Sequence, residues 1–511
     1  VTSAATTSRG AVSADRSFFG HPRGLSTLFF SEMWERFSYY GMRGFLILYM
    51  TAAVSAGGMG LDTATAGAIY GTYTSLVYLM SLPGGWVADR LIGQRRAVLY
   101  GGVLIAAGHF SLAVPTATMF YLGLGLVVLG TGLLKPNISV IVGQLYSADD
   151  VRRDAAFSLF YMGINLGAFF GPIITGFLAQ SEWFRAQLAG WGMDPNTAWH
   201  WGFGAAGVGM TLGLLQYVLG GRLLGTAGQE PALPPTADLK RRAAIWLGGG
   251  FAVLLALALA LATGALPATA QQVTGAYAYI LLAVTIGFFG WLFFGSTWTP
   301  LERGRLYIIG VFFVAAALFW SVFEQAGSTL NLFADRSTNN SVFGSEFPSS
   351  WWQSLNAFLI FVLAPVFAWL WVKLGTRQPA SPTKFALGLI GVGLGFLVLV
   401  PAAQMAGTGA RVGVSWLFFV YLLHTLAELC LSPVGLSSMT KLAPARIVSL
   451  MMGVWFLGAS VGNFLGGQAA SFYEAMPLDR LLTTVAVLPI AAGLVMIAFR
   501  RRLTDLMGGV T

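Results

Sequence analysis

Glu32, Glu35, Arg36, Tyr39, Tyr40 and Arg43 recur at helical spacing inside a stretch, Leu28 to Thr51, whose other residues suit lipid. Positions i, i+3, i+4, i+7, i+8 and i+11 fall on one face of an α-helix. Phe29, Met33, Trp34, Phe37, Phe45 and Leu46 take the remaining surface. A charge in mid-bilayer is costly unless it faces protein or a water-filled cavity. This face therefore predicts a helix lining a polar chamber. Lys135, Glu324 and Glu428 lie in other apolar stretches. Four acids (Glu32, Glu35, Glu324, Glu428) thus stand against three bases (Arg36, Arg43, Lys135), leaving one carboxylate without a fixed partner. A carboxylate that is desolvated or crowded by like charge takes up a proton nearer neutrality, which is the chemistry of proton coupling.

Polar groups cluster in further stretches. Tyr70, Tyr73, Thr74 and Tyr78 stand at near-helical spacing, and Lys135 precedes Pro136 and Asn137. Pro136 removes one backbone hydrogen bond, so a kink is expected beside Lys135. Tyr161 and Asn165 lie one turn apart. Trp320, Glu324, Gln325, Ser328 and Asn331 form one run, Gln353 and Asn356 another, and Tyr421, His424, Glu428 and Ser432 share a stripe. Interhelical packing accounts for a single tyrosine or serine. It does not account for acids and bases gathered on single faces with tyrosines and asparagines.

Such residues need membrane-crossing elements to hold them. Only 10% of the 511 residues are charged, 56% are hydrophobic and mean hydropathy is +0.71. A soluble domain carries about 25% charged residues, so the chain is read as an all-α membrane protein. Apolar runs near the crossing length of about 20 residues recur at 26–53, 64–88, 96–114, 118–143, 155–179, 199–221, 243–264, 275–296, 306–333, 351–373, 382–402, 414–440, 446–470 and 480–499. That predicts 14 spans. Lys and Arg decide orientation: 22 fall at one side, only Arg185, Arg336, Arg411 and Arg480 at the other, and three within spans. An even span number then puts both termini in the cytoplasm. The net charge of +9 reflects this asymmetry and not a nucleic-acid footprint.

The expected layout is a polar cytoplasmic tail over 1–25 without the apolar core of a signal peptide, a six-helix bundle over 26–221, and a Pro-rich cytoplasmic linker over 222–242. Two additional spans over 243–300, a second six-helix bundle over 301–500 and a tail over 501–511 complete it. No charged residue occurs from Ala243 to Leu301, so the additional pair is placed against lipid, with a partner-binding surface as the alternative. The single cysteine, Cys430, excludes an internal disulfide.

Two comparable bundles with ionisable residues near mid-membrane suit an alternating-access carrier. Gly85-Trp-Val-Ala-Asp89-Arg90-Leu-Ile-Gly93-Gln-Arg95-Arg96, between the second and third spans, resembles the signature loop of the major facilitator superfamily, where acid–base pairs latch cytoplasmic helix ends. Glu32-Met-Trp-Glu35-Arg36-Phe37-Ser-Tyr39-Tyr40 resembles the E-x-x-E-R-F-x-Y-Y motif of the proton-dependent oligopeptide transporter family. Phe160-Tyr161-Met-Gly-Ile-Asn165-Leu-Gly167 is similar to its F-Y-x-x-I-N-x-G signature. Phe323-Glu324-Gln325 and Glu428-Leu-Cys-Leu-Ser432-Pro433-Val-Gly435 resemble two more of its segments, and the additional pair is similar to that of bacterial members. No histidine falls in the second span. The proton-accepting histidine of animal relatives thus has no counterpart, and coupling rests on carboxylates.

The resemblance implies a major facilitator fold, 14 helices in all, and proton-coupled import of di- and tripeptides across the bacterial inner membrane. A peptide is a zwitterion and needs a cationic pole, an anionic pole and polar groups between. The implied substrate residues are Arg43 and Lys135 for the carboxylate, Glu428, Asn165 and Asn356 for the ammonium, and Tyr39, Tyr40, Tyr78, Trp320, Glu324, Gln353, Ser432 and Trp455 around them. Proton coupling is implied for Glu32, Glu35, Arg36, Glu324 and Lys135. Gating is implied for Arg43 with Glu324, Lys135 with Glu428, and Asp89 and Arg90. Peptides, protons and lipid are the implied partners of a monomer, with no nucleic acid, no metal and no cofactor beyond the coupling proton. A carrier of nitrate or another small anion, or a peptide sensor that does not transport, remains an alternative. An enzyme is disfavoured: His21, His109, His200 and His424 lie on separate segments without metal-ligand spacing, and no serine motif forms a nucleophile elbow.

Overall fold

A computed structural model describes residues 15–147, 149–232, 235–262 and 265–509. Residues 1–14 of the expected N-terminal tail lie outside the described residues. Lipid offers backbone groups no hydrogen-bond partner, so apolar runs of this length close their bonds internally as helices. In chain order these are α1 (Arg23–Thr51), α2 (Thr63–Leu79), α3 (Ser81–Val87), α4 (Gln94–Leu112), α5 (Ala117–Gln144), α6 (Arg153–Gln180), α7 (Glu182–Gly190), α8 (Ala198–Leu219) and α9 (Ala237–Ala262). There follow α10 (Ala270–Phe294), α11 (Pro300–Phe323), α12 (Thr329–Ser337), α13 (Trp352–Leu374), α14 (Ser381–Gly407), α15 (Ser415–Leu442), α16 (Met451–Ser471), α17 (Leu478–Ala498) and α18 (Arg500–Leu506). Among the described residues, 14 of these have 17 residues or more, and they correspond one to one with the predicted spans. A two-stranded hairpin, β1 (Ser341–Val342) and β2 (Ser345–Glu346), turns through Phe343 and Gly344, both at positive φ.

Two spans read as continuous are interrupted. The second breaks at Met80, between α2 and α3. Pro83 cannot donate to the carbonyl four residues back, which frees the chain there. The span expected over 306–333 stops at Phe323, tightens into a 3₁₀ turn over Glu324–Gly327, and restarts as α12 after Ser328 at φ −129 and ψ −91. Its start is firmer. Thr299 and Glu302 form a reciprocal capping box around Pro300, satisfying donors the first turn would otherwise leave free.

The chain forms two compact units, one of residues 1–39, 80–167 and 200–273, the other of 40–79, 168–199 and 274–511. In the first, Leu25, Leu28, Ile105, Leu134, Ile138 and Met210 interlock. Its signature loop is tied to the linker: Arg95 donates to the Gly225 oxygen at 2.9 Å and to the Gly221 oxygen, while Tyr217 donates to the Arg95 oxygen. In the second unit Phe312 stacks on Phe385, with centroids 4.2 Å apart, at the centre of a large apolar core. The additional helix α10 corrects the expectation of a wholly lipid-facing pair. Tyr279, Ile280, Ile286 and Phe294 are exposed, but Thr274 and Tyr277 are buried and hydrogen-bonded.

Candidate functional site

The first charge cluster lies within one stretch of α1. Arg36 Nε is 3.1 Å from Glu32 Oε1 and also contacts Glu35 Oε2, so two buried carboxylates share one buried guanidinium. Glu32 Oε2 and Glu35 Oε1 have no hydrogen-bond partner among the described residues. The Arg36 guanidinium stands 5.4 Å from the Tyr39 ring centroid. In the same unit Lys135 is half-buried on α5, which runs helically through Pro136, and Asn137 donates to the Leu133 oxygen at 2.7 Å. Asn165 is buried on α6 and donates to the Tyr161 oxygen at 2.9 Å. Asp89 accepts from Gln94 Nε2 at 2.7 Å, and Arg90 is exposed.

The second cluster joins residues far apart in sequence. Arg43 Nη2 lies 2.6 Å from Glu324 Oε2, both side chains being buried, and also donates to the Glu324 backbone oxygen at 3.2 Å. Its Nε donates to the Tyr70 hydroxyl at 2.7 Å, and the Tyr40 ring centroid is 5.7 Å from its guanidinium carbon. Glu324 opens the 3₁₀ break, so Arg43 holds both a carboxylate and backbone that regular helix no longer engages. Beyond the break, Asn331 and Gln353 both donate to the Gly44 oxygen, at 2.8 and 3.1 Å. Gly327 is required inside the cluster, because a methyl there would collide with the Tyr70 hydroxyl and crowd Arg43 Nε.

The same unit carries Glu428, whose Oε2 accepts from Asn356 Nδ2 at 3.0 Å; Asn356 donates equally to Thr425. Trp320 and Trp455 meet edge to face at 6.3 Å, Tyr78 lies 6.4 Å from Phe456, and Ser432 is half-buried one turn beyond Glu428. Ser328 Oγ, Asn331 Oδ1, Trp320 Nε1 and the Tyr421 hydroxyl are buried without a hydrogen-bond partner among the described residues.

The structure therefore brings Arg43, Tyr40 and Glu324 together, pairs Asn356 with Glu428, and faces Trp320 with Trp455. Lys135 belongs to the first unit and Glu428 to the second. Sequence reasoning named Tyr70 as part of a polar run but not as a site residue. Its signal was its place eight residues before Tyr78, on the same face. The signal for the break was Gly327-Ser328, a Gly/Ser pair of the kind at which helices kink. Among the described residues no group of three His, Cys, Asp or Glu could hold a metal ion.

Comparison with known proteins gives the family. The model of the POT family matches residues 95–487. The chain is 42% identical over 490 residues to the peptide transporter YePEPT of Yersinia enterocolitica, covering 93% of each, and 37% identical over 508 residues to a di-/tripeptide transporter of Lactococcus lactis, covering 97% of this chain and 98% of the relative. It also superimposes on a crystal structure of a peptide transporter POT in complex with sulfate, with a TM-score of 0.89, 42% identity and coverage of 98% and 99%. The fold is thus that of the transporters and not of an enzyme, and the chain, a multi-pass membrane protein, belongs to the POT family.

Proposed function

We propose that the chain is a proton-coupled symporter that imports di- and tripeptides across the bacterial cytoplasmic membrane by alternating access, with both termini in the cytoplasm. The observation that carries this reading is the buried Arg43–Glu324 pair seated on a broken helix. A discontinuous helix at membrane depth is tolerated where it is buried in protein or lines a cavity, and carriers place binding and coupling groups there. Protonating Glu324 removes the charge that holds Arg43 and frees the guanidinium for a peptide carboxylate, which it grips as a bidentate fork. Glu428, steadied by Asn356, receives the ammonium. Tyr40, Tyr78, Trp320 and Trp455 offer ring faces to side chains of varied shape.

In the first unit, two carboxylates sharing one guanidinium give a second place for a coupling proton. Lys135 is assigned to link this cluster to peptide binding. A potential of 100 mV supplies about 2.3 kcal/mol per charge and a pH unit about 1.4 kcal/mol, together enough for several-hundred-fold accumulation. The names of the Yersinia and Lactococcus relatives support the substrate class.

The test is uptake of a labelled dipeptide into liposomes, with and without imposed pH and voltage gradients. Concentrative uptake that both gradients enhance, and that di- and tripeptides compete for but free amino acids do not, is the expected result. Uptake indifferent to both gradients, or competed by nitrate and not by peptides, rejects the proposal.

A further inference from the structure

The additional helix α10 carries two hydroxyls into a seam between α2 and α16. The seam is tight: Gly71 faces Gly467 so closely that a methyl on Gly71 would sit 2.7 Å from the Gly467 Cα. Close to it, Ser75 and Ser460 bond reciprocally. Ser75 Oγ donates to the Ser460 oxygen at 2.8 Å, and Ser460 Oγ donates to the Ser75 oxygen at 2.9 Å. The Tyr277 hydroxyl lies 2.7 Å from Ser75 Oγ, in a buried contact. A serine hydroxyl has one proton. Three groups lie within 2.8 Å of Ser75 Oγ: the Ser460 oxygen, Ser460 Oγ and the Tyr277 hydroxyl. One turn earlier along α10, Thr274 meets Thr72 at 3.2 Å, and the Tyr277 ring packs edge-on against Phe464 of α16, with centroids 5.5 Å apart. Tyr277 therefore touches both sides of the seam at once.

In the layout expected from the sequence α2 falls in the first six-helix bundle and α16 in the last; in the structure both lie in the second compact unit. Ser75 follows Tyr70 by five residues, about 7.5 Å of helix, so the seam adjoins the Arg43–Glu324 pair that Tyr70 supports. We propose that α10 is a conformational brace and that Tyr277 is its positioning residue: its hydroxyl completes the Ser75–Ser460 pair only while α2 and α16 are closed on each other. The proposal rests on the alternating-access reading, in which that seam opens once per cycle. It gives the additional helix a share in transport although it carries no charge.

The test is a distance measurement by pulsed electron resonance in proteoliposomes. Spin labels are placed by Val54→Cys and Phe343→Cys, both exposed, in a Cys430→Ser background. Tyr277→Phe removes one hydroxyl and keeps the ring. It is expected to raise the ratio of long to short distances about fivefold, the factor that one ordinary hydrogen bond contributes. In a Ser75→Ala background the same change is expected to add nothing further. An unchanged distance distribution in Tyr277→Phe overturns the proposal even where thermal stability falls, because the hydroxyl is then structural in every state. A full effect persisting in Ser75→Ala overturns it too. Wild-type protein that showed no peptide uptake would reject the proposed function but leave this measurement readable.

Discussion

The two charge clusters are built from similar groups and differ in how they are assembled. Glu32, Glu35 and Arg36 lie within two turns of one helix and hold two acids to one base. Arg43 and Glu324 lie 281 residues apart, hold one acid to one base, and recruit Tyr70 and a backbone oxygen as well. In the first, geometry is guaranteed by helical spacing while charge balance is left incomplete. In the second, charge balance is complete and the geometry depends on a break in a helix. Under the proposed function, the local cluster is assigned to proton coupling and the balanced pair between distant segments to gating.

This contrast is sharpest under the removal of a base. Arg36→Ala leaves two buried carboxylates without a guanidinium and should cost about 3–5 kcal/mol, read as a lower melting temperature in detergent. Adding Glu32→Gln and Glu35→Gln should recover most of the loss. If the single change proves neutral, the cluster is not desolvated as described. Next in size is Glu324→Gln, expected to reduce accumulation in proteoliposomes from about several hundredfold to about one, with peptide counterflow retained. Full gradient-driven uptake would remove Glu324 from coupling.

Three smaller changes probe the supports. Gly327→Ala forces a methyl against the Tyr70 hydroxyl and Arg43, and should destabilise by about 1–3 kcal/mol as overpacking does; an unaltered melting curve would show that the pocket yields. Tyr70→Phe removes one acceptor from Arg43, about 1 kcal/mol, and should shift the apparent peptide affinity about fivefold without abolishing transport. The smallest effect belongs to an exposed counterpart, the Arg336–Glu474 pair. The Thr63 hydroxyl, and then Arg336, hold the Glu474 carboxyl below its usual 4.5. A lowered folded value means that this contribution is complete above the usual value and vanishes as pH falls through the folded one. Glu474→Gln should thus cost about 0.5 kcal/mol near neutrality, as exposed pairs do, and progressively less as pH falls below the usual 4.5 and through the lowered folded value. A cost that does not change with pH would refute the pairing.

Much of the fold was legible because lipid restricts the backbone to helices, and runs of apolar residues mark their extent. The Glu32–Glu35–Arg36 cluster was legible for the same reason: residues three and four apart must meet. What escaped was non-local or depended on a missing bond. The Arg43–Glu324 pair rested on resemblance rather than spacing, and the break after Phe323 has no proline to announce it. The packing of the additional helix through Thr274 and Tyr277 escaped because their partners, Thr72 and Ser75, lie 202 residues away in each case.

The nine-residue α12 is joined to α11 through a segment lacking regular helical bonding, yet Asn331 fastens it to the backbone of α1. Its mechanical allegiance is divided. A single apolar stretch of sequence thereby furnishes both a helix packed into the apolar core and a short one whose attachment is to another segment's backbone.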